Sequence, residues 1–404
     1  MKKWKKLLAL ILCTSMLAGL AACGKTEQAP EAENNTQTGE DAASDEDVNT
    51  AEAEETESTG TGYDGETVKI GFIGWGFTDT LGGEYKKYFE YMGPEFGIDF
   101  NLVVAVNQDE MVSQTESLIE AGVQGIISYQ VTSSMMQLCE KNKVYLAQFG
   151  AAVDDQELKS YLEECEYWLG ASDYDHYTCG VGMVDALHEA GCKNIITLGI
   201  AAGNPLHDQR LKGSKDEAEK FDDMNIIGEY LGNTASVAQE YSEQVTNFIT
   251  MYPELDGITM TGASNGCMEA VLQAIDTAGK TGEIKLATLD VVEGTDIYLS
   301  EGSLVYTLGG QYPEVVFVAL IMGDVIRGTL DLGGERMALI GNLIEVKGTE
   351  GFEQYKEYIE AEFPFTVDEL KEVSPTFNSE ATLQDIYDLW ESYSIEDVME
   401  RHQH

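Results

Sequence analysis

From Val68 onward the sequence alternates short apolar runs with longer amphipathic runs, and this alternation restricts the possible folds more than any other feature. The runs VKIGFIGW and FNLVVAV have the composition of buried strands. GEYKKYFEYMGPEF lies between them and DEMVSQTESLIEAG follows, and both place apolar residues at helical spacing. Strands that alternate with helices in this way predict an α/β fold with a doubly wound parallel sheet and helices on both faces.

A second alternating series begins near Asp173. Its strand-like runs include NIITLGIAAG, GITMTGA and IKLATLDV, and its helical runs include DHYTCGVGMVDALHEAG, where Gly191 is placed to end the helix. Two such units in tandem predict two lobes packed around a cleft. Ligands of open α/β sheets bind outside the carboxyl ends of the strands, so we expect a site between the lobes.

The N-terminal segment has the features of an export signal. Four lysines among its first six residues precede the apolar run Leu7–Leu17, and Leu20-Ala21-Ala22-Cys23 closes the segment. This ending resembles the bacterial lipobox, which predicts that residues 1–23 are a lipoprotein signal peptide and that Cys23 is lipidated. An ordinary signal peptide is the alternative interpretation. Residues 24–66 are acidic and nearly free of apolar side chains, which predicts a disordered tether.

Charge and cysteine content exclude several classes of function. With 72 acidic and 24 basic residues the chain has a formal charge of -48, which argues against a nucleic-acid partner. Beyond Cys13 and Cys23, the remaining cysteines show no C-x-x-C spacing, so neither a metal cluster nor a disulfide framework is indicated. Asp175, just before His176, is better interpreted as a helix cap than as a metal ligand. We therefore expect no metal and no cofactor.

Gly262, Ser264 and Gly266 spell G-x-S-x-G between a strand-like and a helical run, which is the context of a hydrolase nucleophile. A serine triad on that plan needs a histidine further along the chain. After Ser264 the sequence has histidines only at 402 and 404, next to the chain end, where support for catalysis is poor. We expect this segment to be a ligand-binding loop and the protein not to be an enzyme, with a hydrolase using Ser264 as the alternative.

Five features in a fixed order carry a resemblance to a known family. An aromatic loop follows the first strand-like run, R-x-x-G begins at Arg210, Asn265 ends a strand before a helix, Asp290 ends LATLD, and Gln311 lies in GGQYPEVV. In these features the chain resembles the type I periplasmic binding proteins of the ribose and galactose kind, the solute receptors of ABC importers, from about residue 68 to 328. The resemblance implies capture of a sugar or polyol by hinge closure, delivery to an ABC permease, and a monomeric protein lipid-anchored to the outer face of the bacterial cytoplasmic membrane.

The same resemblance implies two lobes joined by a multi-strand hinge. We assign residues 67–173 and 312–340 to the first lobe, and residues 174–311 and 341–404 to the second, which includes C-terminal helices. The chain departs from the family at two places, with Gly266 where the family has Asp and Gln148-Phe149 where it has Asp-Arg. Both departures point to a ligand other than plain ribose or galactose.

The candidate ligand-binding residues combine planar polar groups with aromatic rings. Arg210 can donate two parallel hydrogen bonds, and Asp290 can accept from two hydroxyl groups. The other candidates are Asn265 and Gln311 as polar contacts, Trp75 and Phe77 as stacking rings, and Tyr129, Gln130, Gln148 and Phe149 as further lining of the first lobe.

Simpler roles remain open for some of these residues. Arg210 could pair with Asp208 or Glu217 on a solvated helix, and Phe149 could belong to the core. A sensor subunit that docks on a membrane receptor kinase would use the same fold and the same closure. It is therefore the alternative function.

Overall fold

The computed structural model describes residues 63–78, 80–200, 203–232, 238–264 and 266–402. The strands in chain order are β1 (Val68–Gly74), β2 (Ile98–Val104), β3 (Gly125–Ser128), β4 (Tyr145–Gln148), β5 (Trp168–Tyr174), β6 (Asn194–Ile200), β7 (Asn225–Gly232), β8 (Gly257–Met260), β9 (Lys285–Ala287), β10 (Leu304–Gly309), β11 (Met337–Gly341) and β12 (Ile344–Val346). The helices are α1 (Thr80–Phe96), α2 (Gln108–Glu120), α3 (Ser133–Asn142), α4 (Gln156–Glu164), α5 (His176–Glu189), α6 (Pro205–Ala218), α7 (Ala238–Met251), α8 (Cys267–Thr277), α9 (Thr295–Ser300), α10 (Glu314–Arg327), α11 (Gly348–Tyr355), α12 (Val367–Val373), α13 (Leu383–Glu391) and α14 (Ile395–Arg401).

These elements form two six-stranded sheets, one in each lobe. The first has the order β11-β5-β4-β3-β1-β2 and is parallel throughout. The second has the order β12-β10-β9-β8-β6-β7, in which β12 at the edge runs antiparallel to β10. In both sheets the strand order reverses beside the first strand of the series, as a doubly wound sheet requires. The predicted fold class is confirmed.

Apolar side chains explain why the strands and the helix α10 are buried. In β1 every residue except Lys69 is buried, which fits a strand that is covered on both faces. The first eleven residues of α10, Glu314 to Asp324, are all buried. This helix contacts β1, β3, β4 and β5, so it packs on the first sheet although it follows a strand of the second.

The chain passes between the two sheets three times. It leaves the first sheet between β5 and α5, returns between β10 and α10, and crosses again between β11 and β12. These three connections form the hinge between the lobes. Closure of two lobes about such connections is a hinge movement.

The C-terminal helices pack against these connections. The Tyr393 hydroxyl donates to the carbonyl of Gly310 at 2.8 Å, and the Tyr355 hydroxyl donates to the side-chain hydroxyl of Tyr312 at 3.1 Å. A Cβ placed on Gly341 would lie 2.3 Å from the Trp390 ring. Because α13 contacts β11 and α10 while α11 contacts β12 and α9, this segment touches both lobes. The assignment of residues 341–404 to the second lobe alone does not describe these contacts.

Several smaller predictions can be compared with the structure. Gly191 follows α5 with a φ of +88°, as predicted for a helix end. The cysteines at 139, 165, 179, 192 and 267 are free and buried. The predicted signal peptide, Cys23 and most of the predicted tether lie outside the described residues. Tyr63, near the end of that tether, lies with its ring 4.5 Å from the Arg327 guanidinium. In the described part of the chain, no helix combines the length and apolarity needed to cross a bilayer.

Candidate binding site

A cavity of about 280 Å³ lies between the carboxyl ends of the two sets of strands. Trp75, Tyr129 and Phe149 follow strands β1, β3 and β4, and Gly262 and Asp290 follow β8 and β9. The remaining lining residues are Leu81, Tyr85, Gly150, Ala151, Tyr174, His176, Ile200, Leu206, His207, Arg210, Tyr241, Ser264, Gln311, Glu314 and Leu343. Both lobes and the hinge therefore contribute, at the edge of the sheets where α/β proteins bind ligands.

Arg210 occupies the second-lobe side of this cavity with only 9% of its surface exposed. Its Nη1 donates to the carbonyl of Thr261 at 2.9 Å, and its Nε and Nη2 lie 3.3 and 3.2 Å from Nδ1 of His176. A guanidinium is always a donor, so Nδ1 of His176 accepts and its proton resides on Nε2, 3.4 Å from Asp173 Oδ1. The side chain is thus held in place by main chain and imidazole, and the described residues give it no pairing with Asp208 or Glu217.

Close packing of two helices positions Arg210. A Cβ placed on Gly180 of α5 would lie 2.0 Å from the carbonyl oxygen of Arg210, and one placed on Gly213 of α6 would lie 2.0 Å from that of Tyr177. Each helix therefore needs a glycine where its neighbour's main chain passes. Gly213 is the last residue of the R-x-x-G segment. Helix packing therefore explains why a glycine is found three residues after Arg210.

Asp290 follows β9 in a left-handed backbone conformation with a φ of 73°. Aspartate tolerates this region better than most residues, and such strain is found more often at functional sites than elsewhere. Its Oδ2 accepts hydrogen bonds from Ser264 Oγ at 2.7 Å and from the amide of Ala263 at 3.2 Å. Ser264 therefore donates directly to a carboxylate with no histidine between them, which differs from the arrangement in a serine triad.

Two histidines complete this side of the cavity, and both favour the neutral form. His207 Nδ1 lies 2.7 Å from Thr261 Oγ1. Burial, with the positive charge of Arg210, lowers the pKa of His207 to about 3. Burial also lowers the pKa of His176, although its contact with Asp173 opposes the shift. We call Arg210, Asp290, Ser264 and His207 the polar wall.

The opposite side is built from rings that pack on one another. The Trp75 ring centroid lies 5.4 Å from that of Tyr129, 6.1 Å from that of Tyr85 and 6.3 Å from that of Phe149. Phe149 also stacks on Phe72 of the core at 4.9 Å. It therefore belongs both to the core and to the cavity lining. We call Trp75, Tyr85, Tyr129 and Phe149 the aromatic wall.

Glu314 is the first residue of α10 and is fully buried on the first-lobe side. Its Oε1 accepts from the amide of Gly150 at 2.7 Å and from the Ser172 hydroxyl. Its Oε2 is buried and has no hydrogen-bond partner among the described residues. Burial raises the pKa of this carboxyl to about 7, although the hydrogen bonds from Ser172 and Gly150 oppose the shift. Glu314 begins a helix whose next nine residues are apolar, and this isolated carboxyl group was the sequence signal that the analysis of the sequence missed.

The comparison with protein families identifies the chain. The model of the periplasmic binding protein domain matches residues 70–326, which is more than half of the chain. The chain belongs to this family. No curated protein matches the sequence significantly.

Solved structures share the fold of this binding protein at low sequence identity. An ABC transporter periplasmic solute binding protein from Actinobacillus succinogenes with bound D-allose has a TM-score of 0.62 at 16% identity, covering 72% of this chain and 100% of that one. A periplasmic ribose ABC transporter protein from Conexibacter woesei has a TM-score of 0.60 at 12% identity, covering 74% and 97%. The solute binding protein of a 5-methylthioribose transporter from Thermotoga lettingae, in complex with that sugar, has a TM-score of 0.55 at 16% identity, covering 75% and 98%.

The cavity of the binding protein contains most of the predicted site residues. Those that line it are Trp75, Tyr129, Phe149, Arg210, Asp290 and Gln311. Asn265 lies outside the described residues. The histidines at 176 and 207, together with Glu314, are lining residues that the sequence did not suggest as ligand contacts.

Three predicted residues lie elsewhere. Phe77 packs on Phe72, with ring centroids 6.1 Å apart, and does not line the cavity. Gln130 is exposed. Gln148 is buried, and its amide accepts from the Val131 main chain at 3.1 Å and donates to the carbonyl of Ala151 at 2.7 Å. The Gln148 side chain therefore points toward the main chain, and its hydrogen bonds stabilise the loop that carries Phe149.

Proposed function

We propose that this protein is the solute-binding component of an ABC importer and that it captures a sugar or polyol in the cavity between its lobes. The observation that carries the proposal is the pairing of a polar wall on the second lobe with an aromatic wall on the first. Carbohydrates present hydroxyl groups at the ring edge and apolar C–H groups on the ring faces. Walls of these two kinds suit such a molecule.

The polar wall offers hydrogen-bond groups of both kinds to a ligand. A guanidinium has five N–H donors, and three of those of Arg210 are used by Thr261 and His176. Two donors therefore remain for adjacent ligand oxygens. Asp290 and Gln311 supply acceptors, and Oε2 of Glu314 is a further polar group on the hinge side. A buried hydrogen bond to a charged group contributes about 1.5 to 3 kcal/mol.

Binding is completed by hinge closure in this proposal. A ligand held by one wall gains the contacts of the other wall only when the lobes approach each other. It shifts the population toward the closed form only by its difference in affinity for the two forms. No chemical step is required of the chain, and the closed form is the one that the permease recognises.

The location of the protein belongs to the same proposal. Residues 1–23 are a lipoprotein signal, Cys23 carries the lipid, and the acidic segment that follows Cys23 tethers the protein to the outer face of the cytoplasmic membrane. About forty flexible residues span roughly 35 Å between their ends. The features of the sequence that support this are the basic N-terminus, the short apolar run and the small residues before Cys23. Globomycin-sensitive processing and incorporation of labelled palmitate would test it.

A thermal-shift screen of sugars, polyols, nucleosides and amino acids tests the ligand class. A sugar at a hundredfold excess over its Kd adds about 2.7 kcal/mol to the free energy of unfolding. The variant Asp290→Asn keeps the left-handed backbone and replaces an acceptor with a donor, and Arg210→Ala removes the paired donors. We expect both variants to fold and to lose the ligand-induced shift.

The matched control is Asp222→Asn, which makes the same change at an exposed aspartate outside the cavity. This variant should keep the full shift. Stabilisation by amino acids alone would contradict the proposed ligand class. Conversion of a bound sugar into a product, followed by mass spectrometry, would contradict a role in capture.

A further inference from the structure

Three tyrosines that line the cavity use their hydroxyl protons to bind main chain. The Tyr129 hydroxyl donates to the carbonyl of Ala105 at 3.0 Å. The hydroxyls of two further lining tyrosines are used in the same way: that of Tyr174 donates to the carbonyl of Gln311 at 3.0 Å and that of Tyr241 to the carbonyl of Gly199 at 2.9 Å. These side chains present their rings to the cavity while their hydroxyls hold main chain.

A polar side chain on the first lobe, that of Gln148, is also directed away from the cavity. Gln148 ends β4 on the first lobe, where its side chain could have faced the ligand. Both ends of its amide instead bind main chain, at Val131 and Ala151, and the next residue, Phe149, faces the cavity. Among the described lining residues of the first lobe, Glu314 alone carries a carboxylate. Its place at the start of α10 is on the hinge side of the cavity.

A free monosaccharide carries hydroxyl groups around most of its ring. A hydroxyl buried against the aromatic wall would lose its hydrogen bonds to water without replacement, which is unfavourable. An apolar or aromatic group in that position gains from burial and from contact with the rings. The cavity of about 280 Å³ is near the lower end for small-molecule sites, so it suits one sugar unit with a compact substituent.

We propose that the cavity selects a monosaccharide that carries one apolar or aromatic substituent, with the sugar hydroxyls on the polar wall and the substituent on the aromatic wall. Thio-sugars, nucleosides and aryl glycosides belong to this chemical class. The inference rests on the proposed function, because it takes sugar capture as given and names the kind of sugar. It predicts that the unsubstituted sugar is the weaker ligand.

Calorimetric titration with matched pairs tests the inference. The pairs are D-ribose with 5-methylthioribose, D-ribose with adenosine, and D-galactose with phenyl β-D-galactoside. A substituent that buries about 50 Å² of apolar surface should lower Kd about tenfold. We therefore expect the substituted member of at least one pair to bind tenfold or more tightly than its parent sugar.

Variants of the aromatic residues test whether the aromatic wall causes the preference for substituted sugars. Trp75→Leu should reduce the ratio of the two Kd values to near one, and Trp75→Phe should restore most of it because a ring is present again. Phe77→Leu is the matched control, since Phe77 lies in the same loop and packs on Phe72 outside the cavity lining. It should leave the ratio unchanged. Far-ultraviolet circular dichroism and melting curves confirm that each variant is folded.

The outcomes separate this inference from the proposed function. Parent sugars that bind as tightly as their substituted partners would overturn the inference and leave sugar capture in place. A preference that survives Trp75→Leu but not Tyr241→Leu would also overturn it, because the substituent would then lie on the second lobe. Binding of amino acids, with no member of any pair bound, would overturn both.

Discussion

The two walls of the cavity are built in different ways. On the polar wall, Arg210 is fixed by hydrogen bonds to main chain and imidazole, and Asp290 adopts a left-handed backbone. On the aromatic wall, rings are held by contact with other rings at centroid distances of 5.4 to 6.3 Å. Hydrogen bonds weaken steeply with small changes in distance and angle, whereas apolar contact changes gradually. The polar wall should therefore tolerate substitution less than the aromatic wall.

The largest expected effect is at the helix pair behind the polar wall. Gly180→Ala would place a Cβ 2.0 Å from the main-chain oxygen of Arg210, so α5 and α6 must move apart. We expect a loss of about 3 kcal/mol or more in the free energy of unfolding, at the upper end of overpacking effects. Urea unfolding measures this loss, and ligand titration should show weaker binding because Arg210 is displaced.

Gly83→Ala is the matched control on the side of the aromatic wall. Gly83 lies in α1, and a Cβ there would be in ordinary van der Waals contact with the Phe77 carbonyl oxygen, at 3.8 Å. Alanine should stabilise this helix by about 0.5 to 1 kcal/mol. Equal effects of the two substitutions would show that the walls do not differ in tolerance.

The second prediction concerns the carboxyl group on the first-lobe side. The pKa of Glu314 is raised by burial from 4.5 to about 7, so the folded protein binds a proton that the unfolded chain releases. The stability that comes from this proton is complete below about pH 4.5 and is lost as the pH rises to about 7. The total loss is about 3 kcal/mol, at 1.36 kcal/mol for each pH unit.

Glu314→Gln isolates this effect from the titration of the other acidic groups. The amide oxygen can still accept from Gly150 and Ser172, and the side chain has no proton to lose. The difference in unfolding free energy between wild type and variant should therefore change by about 3 kcal/mol between pH 4.5 and 7.5. The variant should become more stable relative to the wild type as the pH rises. A constant difference across this range would mean that Glu314 is ionised in the folded protein.

The smallest expected effect is on the aromatic wall. Tyr129→Phe removes the hydrogen bond to the carbonyl of Ala105 and keeps the ring. We expect a loss of about 1 kcal/mol in stability and less than a twofold change in ligand affinity. Thermal melting and calorimetric titration check the two parts. A large drop in affinity would show that this hydroxyl contacts the ligand and that the two walls are less different than their contacts indicate.

Residue pattern alone was sufficient for much of the fold. The alternation that begins at Val68 predicted the parallel sheets, because the spacing of apolar side chains follows directly from the geometry of strands and helices. It also located Asp290 and Trp75 at strand ends, where parallel sheets bind ligands. Arg210 and Gln311 were found through the resemblance to a family, since neither stands out in its own segment.

The sequence was less informative about which of two adjacent side chains lines the cavity. Gln148 is the last residue of β4 and Phe149 is the next residue, yet the first binds main chain and the second faces the cavity. Nothing in the local pattern distinguishes them, because both positions are buried. The C-terminal helices posed a similar difficulty, since their amphipathic pattern shows that they pack but does not show which lobe they pack against.

By itself, the sequence determined the order of strands and helices, the division into two α/β series and the polar and aromatic character of the strand ends. These properties depend on neighbours within a few residues, where the periodicity of apolar side chains is visible. Tertiary structure alone decided which side chains meet. Glu314 binds the amide of Gly150 across 164 positions, and Arg210 binds Thr261 across 51, so these contacts exist only after the sheets and the hinge have formed.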